Sequence, residues 1–148
     1  MLNFSCFKFE ELSNSKLYEI LKLRSKIFVI EQKCLYQDMD ALDNKAYHIL
    51  IEKKNSIIGY SRVLEKGSVY KDYLSIGRVC VDEKNRGNKI GDLLIEYSLK
   101  LAKEKYKNIP IKISAQSYLK DLYKKHGFIY KGEEYIEDGI PHSAMYLE

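Results

Sequence analysis

The order of strand-like and helix-like segments predicts an α/β (α+β) fold, with helices on both faces of a mixed, mostly antiparallel sheet of about six or seven strands. Strand patterns dominate the first half of the chain, a strand–turn–helix unit occupies residues 76–94, and a second strand–helix unit leads into a terminal hairpin. The chain has 148 residues, of which 45% are hydrophobic. This is the size and apolar content of one compact domain, which we expect to span residues 1–148.

The N-terminal part is predicted to contain a strand, a helix and a loop. Residues 4–10 alternate roughly between apolar and polar types, which indicates a first strand. The cap-like run Ser13-Asn14-Ser15 precedes apolar residues at helical spacing, so a helix is expected to about residue 30. Residues 31–43 are polar and acidic, and they predict a long loop or a loop with a short helical turn. Long ordered loops often carry function.

The rest of the chain predicts a hairpin, two strand–helix units and terminal strands. The hairpin consists of residues 47–53 and 57–65, joined at Lys54-Asn55-Ser56. The later segments are predicted as a strand at 73–81, a helix at 91–106, a strand at 111–115, a helix at 118–126 closed by Gly127, a strand from 128 onward, a turn at 137–141 and a strand at 142–147.

Composition excludes several classes of function. The 25 basic and 21 acidic residues leave a formal charge of +4, which is mild and does not predict a nucleic-acid partner. Three cysteines without C-x-x-C spacing, two of them in strand-like runs, predict buried thiols in a reducing cytoplasm, and no metal-ligand cluster is visible. No segment approaches the length of a membrane span, and the N-terminus lacks a basic leader. We therefore expect a cytoplasmic protein with no membrane partner.

The central unit has the features of a phosphate-binding site. An apolar strand ends at Val81, and a polar turn leads through Arg86-Gly87-Asn88-Lys89-Ile90-Gly91 into a helix. This 86–91 loop offers cationic side chains, two glycines and free N–H groups at a helix N-terminus, whose dipole favours anions. The P-loop and the G-x-G-x-x-G fingerprint of dinucleotide-binding proteins are both missing.

The 86–91 loop resembles the pyrophosphate-binding motif of the GCN5-related N-acetyltransferases (GNAT), except that Lys89 stands where that family usually has its middle glycine. The predicted order of elements is also the order of that family. Further matches, which resemble the ElaA-like branch, lie at Phe28-Val29-Ile30-Glu31-Gln32, Tyr36-Gln37-Asp38, Ile76-Gly77-Arg78-Val79, Ala115-Gln116 and Glu137-Asp138-Gly139-Ile140-Pro141-His142. The resemblance implies a GNAT-like fold and transfer of an acetyl group from acetyl-coenzyme A, without a metal, to a primary amine on a small molecule or peptide.

The resemblance also implies positions that bind the co-substrate. They are Val79, Cys80 and Val81 through their backbone, then Arg86, Gly87, Asn88, Lys89, Ile90 and Gly91, and finally Gln116 and Tyr123. Tyr123 matches the family tyrosine that protonates the departing sulfur, because it has the right spacing to Gly127-Phe128. A phenol can donate that proton while it stays neutral at working pH.

The group that deprotonates the amine is left open among three residues. Glu31, His48 and His142 are the titratable candidates nearest to the acceptor in this topology, Glu31 and His142 being the catalytic expectations, and water-relayed deprotonation would need none of them. Contacts with the acceptor are expected from Glu31, His48, Arg62, Arg78, Asp138 and His142. The two arginines lie in predicted strands, where they could instead form structural ion pairs. Acidic side chains on the flanking loops, at Asp38, Asp40, Glu137 and Asp138, suggest a cationic amine.

Three alternative functions remain open at this level. Cys34 could act as a nucleophile with His48 or His142 as its base, which would give ping-pong kinetics. A non-catalytic module could bind coenzyme A or another protein on the same fold. Lysines of the 91–106 helix could bind nucleic acid, although no stacking aromatic set accompanies them. A homodimer paired through a sheet edge is compatible with the sequence, which does not name the acceptor.

Overall fold

Eight strands and three α-helices make up the computed structural model, which describes residues 1–148. The strands are β1 (Leu2–Lys8), β2 (Tyr47–Lys53), β3 (Ser56–Leu64), β4 (Ser75–Val81), β5 (Ile111–Gln116), β6 (Ile129–Tyr130), β7 (Tyr135–Glu137) and β8 (Ile140–Leu147). The helices are α1 (Asn14–Arg24), α2 (Ile90–Lys105) and α3 (Lys120–Lys125). Short 3₁₀ turns lie at Phe9–Glu11, Asp43–Lys45, Glu83–Asn85 and Ser117–Leu119, and a π-helical segment (Ser25–Glu31) continues α1.

The strands form two antiparallel sheets. The first has the order β1-β2-β3-β4, and the second has the order β5-β8-β6 with β7 paired to β8. The predicted mixed fold with helices on both faces is confirmed. The structure has two sheets where the sequence predicted one, because β4 and β5 do not form a continuous ladder.

The first helix follows the predicted signals closely. Ser13 caps it, since the Ser13 hydroxyl accepts a hydrogen bond from the Lys16 N–H at 3.1 Å. The helical path continues beyond Arg24 as the π segment and ends at Glu31, one residue after the expected end. π-helical turns are uncommon and occur mostly next to functional sites.

The first sheet is buried on both faces, because alternate residues of a strand point to opposite sides. On one face, α2 covers it, and the packed residues include Ile49, Ile51, Val63, Leu94 and Ile95. On the other face, α1 and the π segment cover it with a second cluster of Ile20, Leu23, Ile27, Leu50, Tyr60 and Cys80. The β2–β3 hairpin thus lies at the centre of the molecule.

The two sheets touch at one point and then separate. Leu74 and Ile111 form an isolated parallel bridge, in which the Leu74 N–H donates to Pro110 O and the Lys112 N–H donates to Leu74 O, both at 3.0 Å. No ladder joins β4 to β5 beyond this bridge. The facing edges of the two strands therefore diverge, and a gap opens between the sheets.

The cysteines depart in part from the prediction. Cys80 is buried on β4, as expected, but Cys6 is exposed on β1 and Cys34 is half-buried. Cys6 differs because β1 is the edge strand of the first sheet, where only one side is covered. Separately, no helix has both the length and the apolar character to cross a membrane.

Candidate active site

A cavity of about 620 Å³ occupies the gap between β4 and β5. Its walls come from both faces of the first sheet: α2 and α3 on one face, and the π segment, the 31–43 loop and the β7–β8 hairpin on the other. We call the second wall the acceptor side. Among the predicted site residues, only His48 and Asn88 do not line this cavity.

The 86–91 loop carries a row of unused backbone donors. The backbone N–H groups of residues 87–92, which we call the free amide row, donate to no acceptor within the protein, and the first helical bond runs from Leu93 N to Lys89 O at 3.1 Å. Gly87 has a φ of +85° and open space where a Cβ would stand. Lys89 occupies the N-cap position with a φ of 60°, in the left-handed region, and no side chain caps the helix. Successive free amides at a helix N-terminus form an anion-binding concavity, so the loop fits a diphosphate.

The left-handed backbone of Lys89 explains why the resembling motif usually has a glycine at this position. A left-handed φ is costly for a residue with a Cβ and free for glycine. The loop keeps its shape in spite of the lysine.

Arg86 and Glu31 lie on the cavity wall and bind each other. Arg86 Nη1 donates to Glu31 Oε2 at 2.6 Å, and Nη2 donates to Oε1 at 2.9 Å. Arg86 Nε also donates to the Val81 carbonyl at 3.1 Å. The hydrogen bond with Glu31 raises the pKa of Arg86. Both carboxylate oxygens of Glu31 are therefore engaged by a permanent cation.

Tyr123 presents a hydroxyl without a protein partner to the cavity. It lies on α3, is 7% exposed, and packs edge-to-face on Phe128 with ring centroids 5.8 Å apart. Burial raises its pKa, so the phenol keeps its proton across the physiological range. Gly127 ends α3 with a φ of +95°, and a Cβ there would approach Leu147 to 3.2 Å.

Strand β4 is bulged where it faces the gap. Tyr60 of β3 pairs with Cys80, but Arg62 pairs with Gly77, so β4 holds an extra residue between the two pairs. Arg78, inside this stretch, has a φ of 51°. A bulge leaves backbone groups out of the ladder and re-aims the strand. The bulge was not predicted, although a glycine inside a strand pattern, here Gly77, is the signal that could have found it.

A network of three arginines and three aspartates stands behind the acceptor side. Its ion pairs are Arg24 with Asp38 (2.8 Å) and Asp43 (2.7 Å), Arg62 with Asp43 (2.9 Å) and Asp40, and Arg78 with Asp38 (2.9 Å) and Asp40 (3.4 Å). The side chains of Arg24 and Arg62 are 0% and 4% exposed. Burial acts to raise the pKa of Asp40, but the hydrogen bond and charge of Arg62 outweigh it and lower that pKa to about 2.

This network changes the expected role of four residues. Arg62 and Arg78 line the cavity, but their charges are balanced by aspartates, so they act as structural ion pairs in this arrangement. Asp38 and Asp40 are likewise neutralised by arginines and are not free to attract a cationic amine. The physical reason is that buried charges are stable only when paired.

His48 lies outside the cavity, contrary to its expected contact with the acceptor. Its ring is 0% exposed, with Nδ1 2.6 Å from the Tyr60 hydroxyl and Nε2 2.8 Å from the Asp43 carbonyl. Burial lowers its pKa, so the ring stays neutral. Its position on the central strand β2 accounts for this burial.

The β7–β8 hairpin brings acidic and imidazole groups to the acceptor side. Asp138 and Gly139 have φ values of 52° and 76° and form a two-residue turn between the paired residues Glu137 and Ile140. His142, whose side chain is 8% exposed, lies 3.5 Å from Glu137 between Nε2 and Oε2. The hairpin also contacts the 31–43 loop, because the Cys34 thiol donates to the Asp138 carbonyl at 3.3 Å.

Gln116, expected near the co-substrate, lies on the cavity wall at the end of β5. Its side-chain amide exchanges hydrogen bonds of 3.2 Å with that of Gln32. The pair links the second sheet to the residue that follows the π segment, across the gap.

Comparison with known proteins gives a consistent result. The model of the acetyltransferase (GNAT) domain matches residues 16–148. Protein ElaA of Escherichia coli (strain K12) is 38% identical over 150 residues, which is 100% of this chain and 97% of that protein. The crystal structure of Escherichia coli ElaA is similar with a TM-score of 0.94 and 37% identity, and 100% of each chain is covered.

Two further solved structures share the fold. The crystal structure of an acyl-CoA N-acyltransferase from Pseudomonas aeruginosa has a TM-score of 0.90 and 33% identity, and it covers 97% of this chain and 98% of that one. Aminoglycoside 6'-N-acetyltransferase, complexed with coenzyme A in its crystal structure, has a TM-score of 0.72 at 14% identity and covers 98% of this chain and 96% of that one. The chain belongs to the GNAT family of acetyltransferases.

Proposed function

We propose that this protein transfers an acetyl group from acetyl-coenzyme A to a primary amine, by direct attack of the amine in a ternary complex. The family's fold supports acyl transfer from coenzyme A. One observation carries the finer proposal: the same cavity is lined by the 86–91 loop, with its free amide row, and by Tyr123, with its unpartnered hydroxyl. The first suits a diphosphate, and the second suits a proton donor.

The free amide row and the edge of β4 would bind the co-substrate. Amides of residues 87–92 would donate to the diphosphate oxygens, supported by the positive end of the α2 dipole. The backbone of Val79, Cys80 and Val81 faces the gap and would hold the pantetheine arm, because β4 has no strand partner on that edge. Acetyl-coenzyme A supplies an acyl carbonyl activated as a thioester.

Arg86 would have to leave Glu31, in whole or in part, to add its charge to the diphosphate. Its pairing to Glu31 is on the surface, where the two side chains are 42% and 35% exposed. Exposed pairs are worth only about 0–1 kcal/mol. The exchange therefore costs little free energy, and the free amides do not depend on it.

Tyr123 would act as the general acid. Its raised pKa keeps the phenol protonated, and the hydroxyl has no internal acceptor that would compete for its hydrogen. It would donate that hydrogen to the thiolate sulfur as the thiol leaves, and would regain a proton afterwards. A positioned acid of this kind contributes about 10²–10⁴-fold in rate.

The acceptor would enter from the acceptor side. This wall includes Tyr36, Glu137, Asp138 and Ile140, a mixture of aromatic, acidic and apolar groups, and Tyr70 also lines the cavity. Glu137 and Asp138 have no lysine or arginine partner, unlike the aspartates of the buried network. A small molecule or peptide with a positively charged amine would suit this wall.

Two measurements test the proposal. Acetyl-coenzyme A at 100 times its Kd should stabilise the protein by about 2.7 kcal/mol, visible as a rise in Tm. Thiol release should then be followed with a panel of amines that includes tyramine, spermidine and a dipeptide with a free N-terminus. Binding without release on the whole panel would favour a non-catalytic coenzyme A module, and absence of binding would reject both functions.

A further inference from the structure

Resting on the proposed function, we infer that His142 accepts the proton of the amine at Nε2, and that Glu137 positions and balances the ring while it carries that proton. Two other candidates from the sequence, Glu31 and His48, do not have a free accepting atom at the cavity. The distinction comes from the hydrogen bonds around each group.

The three histidines of the chain differ in which ring nitrogen must carry hydrogen. His142 Nδ1 lies 2.7 Å from the Ile140 carbonyl, and His48 Nε2 lies 2.8 Å from the Asp43 carbonyl. His126 Nε2 lies 2.8 Å from the Asp92 carboxylate. A carbonyl or carboxylate oxygen can only accept, so a ring nitrogen that is hydrogen-bonded to it must donate; the 3.5 Å contact between His142 Nε2 and Glu137 is not a hydrogen bond. His142 is therefore the single histidine whose hydrogen sits on Nδ1 and whose Nε2 carries a lone pair in the neutral ring.

Nε2, the atom that carries the lone pair, makes no hydrogen bond within the protein. His142 is on the cavity wall, and its side chain is 8% exposed. The ring is held at Nδ1 by the Ile140 carbonyl and on one face by Tyr135, which stacks on it with centroids 6.1 Å apart and is itself hydrogen-bonded through its hydroxyl to Ser114 of β5. A ring fixed in this way presents Nε2 in one direction, which is what proton transfer requires.

Charged and titratable groups around the ring come from one neighbouring strand. Glu137 and Tyr135 of β7 face it, and on β5 its register partner is the uncharged Gln116. Glu137 Oε2 is 3.5 Å from Nε2, an ion-pair distance when the ring is charged. A carboxylate at this distance stabilises an imidazolium and gives the ring a countercharge during turnover.

The other two candidates are already engaged. Both oxygens of Glu31 accept hydrogen bonds from Arg86, at 2.6 and 2.9 Å. His48 is 0% exposed, off the cavity wall, and hydrogen-bonded at both nitrogens. His48 could take a proton only by losing a buried hydrogen bond. Glu31 would be released if Arg86 turned to the diphosphate, so the comparison of Glu31→Gln with His142→Ala below decides between these two residues.

The proton transfer is balanced as follows. The ammonium form of the acceptor gives one hydrogen, as a proton, to His142 Nε2, and the electrons of that N–H bond remain on the amine nitrogen as the attacking lone pair. Nδ1–H stays on the Ile140 carbonyl throughout. Once the amine has attacked, its nitrogen loses a second proton as the C–S bond breaks, and this proton replaces the one that Tyr123 gives to the thiolate sulfur. The imidazolium, flanked by Glu137, returns its own proton to solvent.

Nitrogen-15 NMR of the imidazole rings tests the arrangement without any substrate. At alkaline pH, where imidazole rings are neutral, we expect His142 to be the Nδ1–H tautomer and His48 to be the Nε2–H tautomer. His142→Gln and His126→Gln assign the signals by loss of one ring each. Hydrogen on Nε2 of His142 would overturn the inference.

Kinetics test the catalytic part. His142→Ala should lower kcat/KM for a productive amine by about 10²-fold or more, with the rise in Tm on acetyl-coenzyme A retained and part of the rate restored by added imidazole. Glu137→Gln should give a smaller loss, of about 10-fold, because it removes only the countercharge of the ring. Glu31→Gln should lose less than His142→Ala.

The outcomes separate the two proposals. Thiol release that is indifferent to His142→Ala, or that is lost equally in Glu31→Gln and not restored by imidazole, would overturn the assignment of His142 alone. Absence of thiol release by the unmodified protein with every amine of the panel would overturn the proposed function, and this assignment with it.

Discussion

At the scale of single residues, Tyr123 is the side chain to which we have assigned the role of general acid. The ring is buried against Phe128, while the hydroxyl at the cavity has no protein partner. A buried polar group without a partner costs free energy, so such groups usually serve a ligand or a reaction. Of the two buried tyrosines, Tyr60 is hydrogen-bonded to His48 and Tyr123 has no partner, a difference that a composition of 13 tyrosines could not show.

Tyr123→Phe should separate chemistry from binding. We expect kcat to fall by about 10²-fold or more because the proton donor is lost. The free energy of unfolding should change by less than about 1 kcal/mol, since no internal hydrogen bond is broken. Single-turnover kinetics and a binding titration with coenzyme A measure the two effects. An equal loss in coenzyme A affinity would argue that Tyr123 only lines the wall.

Arg78 joins a strained backbone to a side-chain ion pair. Its φ of 51° lies in the left-handed region, and Nε lies 2.9 Å from Asp38 Oδ1. The strained backbone of Arg78 lowers the stability of the folded protein, and its ion pair with Asp38 raises it. Two substitutions at this residue can measure the backbone strain separately from the ion pair.

Arg78→Gly and Arg78→Ala form a matched pair. Both remove the ion pair with Asp38, but only glycine adopts a positive φ without strain, so the alanine variant should be less stable by about 1 kcal/mol. Urea unfolding of the two variants measures the difference. Equal stability would mean that the backbone of β4 relaxes out of the bulge when the arginine is lost.

At the scale of elements, the strand–loop–helix unit from β4 to α2 is the part that the sequence described best. The two glycines of its 86–91 loop have different tasks. Gly87 has a φ of +85°, and a Cβ at this position would meet no atom within 4 Å. Gly91 lies in the first turn of α2, where a Cβ would stand 3.6 Å from Leu122. Conformation alone constrains Gly87, and neither conformation nor space constrains Gly91.

Alanine at the two glycines should therefore act with opposite sign. Gly91→Ala should stabilise the protein by about 0.5–1 kcal/mol, because alanine favours the helix and 3.6 Å is ordinary contact. Gly87→Ala should destabilise it by about 1 kcal/mol and weaken acetyl-coenzyme A binding, because the left-handed backbone shapes the free amide row. Thermal unfolding with and without acetyl-coenzyme A measures both. Unchanged binding in Gly87→Ala would show that the amides do not hold the diphosphate.

At the scale of the whole molecule, the arginine–aspartate network ties α1, the 31–43 loop, β3 and β4 together. Asp40 and Asp43 both have lowered pKa values, because hydrogen bonds and charge from arginines outweigh burial. His48, packed against the same network, has a pKa lowered by burial. Each shift couples protonation to unfolding.

Stability should consequently fall in two steps as the pH is lowered. At a pH below the ordinary histidine pKa of 6.5, His48 binds a proton in the unfolded chain, whereas burial keeps it neutral in the folded protein. The free energy of unfolding therefore falls as the pH drops below 6.5. Between the ordinary aspartate pKa of 3.8 and the value of about 2 for Asp40, the carboxylate binds a proton in the unfolded chain before it does so in the folded protein. The contribution of its ion pairs to the free energy of unfolding is lost over this range. Urea unfolding from pH 8 to pH 2 measures both steps.

Asp40→Asn serves as the control for the lower step. The variant should have a lower free energy of unfolding at neutral pH, because Arg62 loses a partner. Between pH 4 and pH 2 its free energy of unfolding should fall less steeply than that of the unmodified protein. An unchanged decline in this variant would assign the acid sensitivity to other carboxylates.

Much of the fold could be predicted because its signals are local. The bounds of β2 agree with the predicted residues 47–53, and those of α2 differ by one residue at each end from the predicted 91–106. The family and its ElaA-like branch, suggested by separate short matches, are confirmed. Cys6 was predicted to be buried and is exposed, and the division of the strands into two sheets was not predicted, because edge position and strand pairing depend on partners far along the chain. The extent of the domain, the dimer and the cytoplasmic location stay predictions.

The sequence by itself determined the order of elements, the loop with free amides and the tyrosine near the end of α3, since periodicity, capping and glycine spacing act over a few residues. Only the tertiary structure decided which charges are paired and which groups stay free. It paired Arg86 with Glu31, neutralised Asp38 and Asp40, buried His48 and left the Nε2 of His142 free. The reason is physical: the state of an ionisable group depends on the atoms within a few ångströms of it, and in this fold those atoms come from distant parts of the chain.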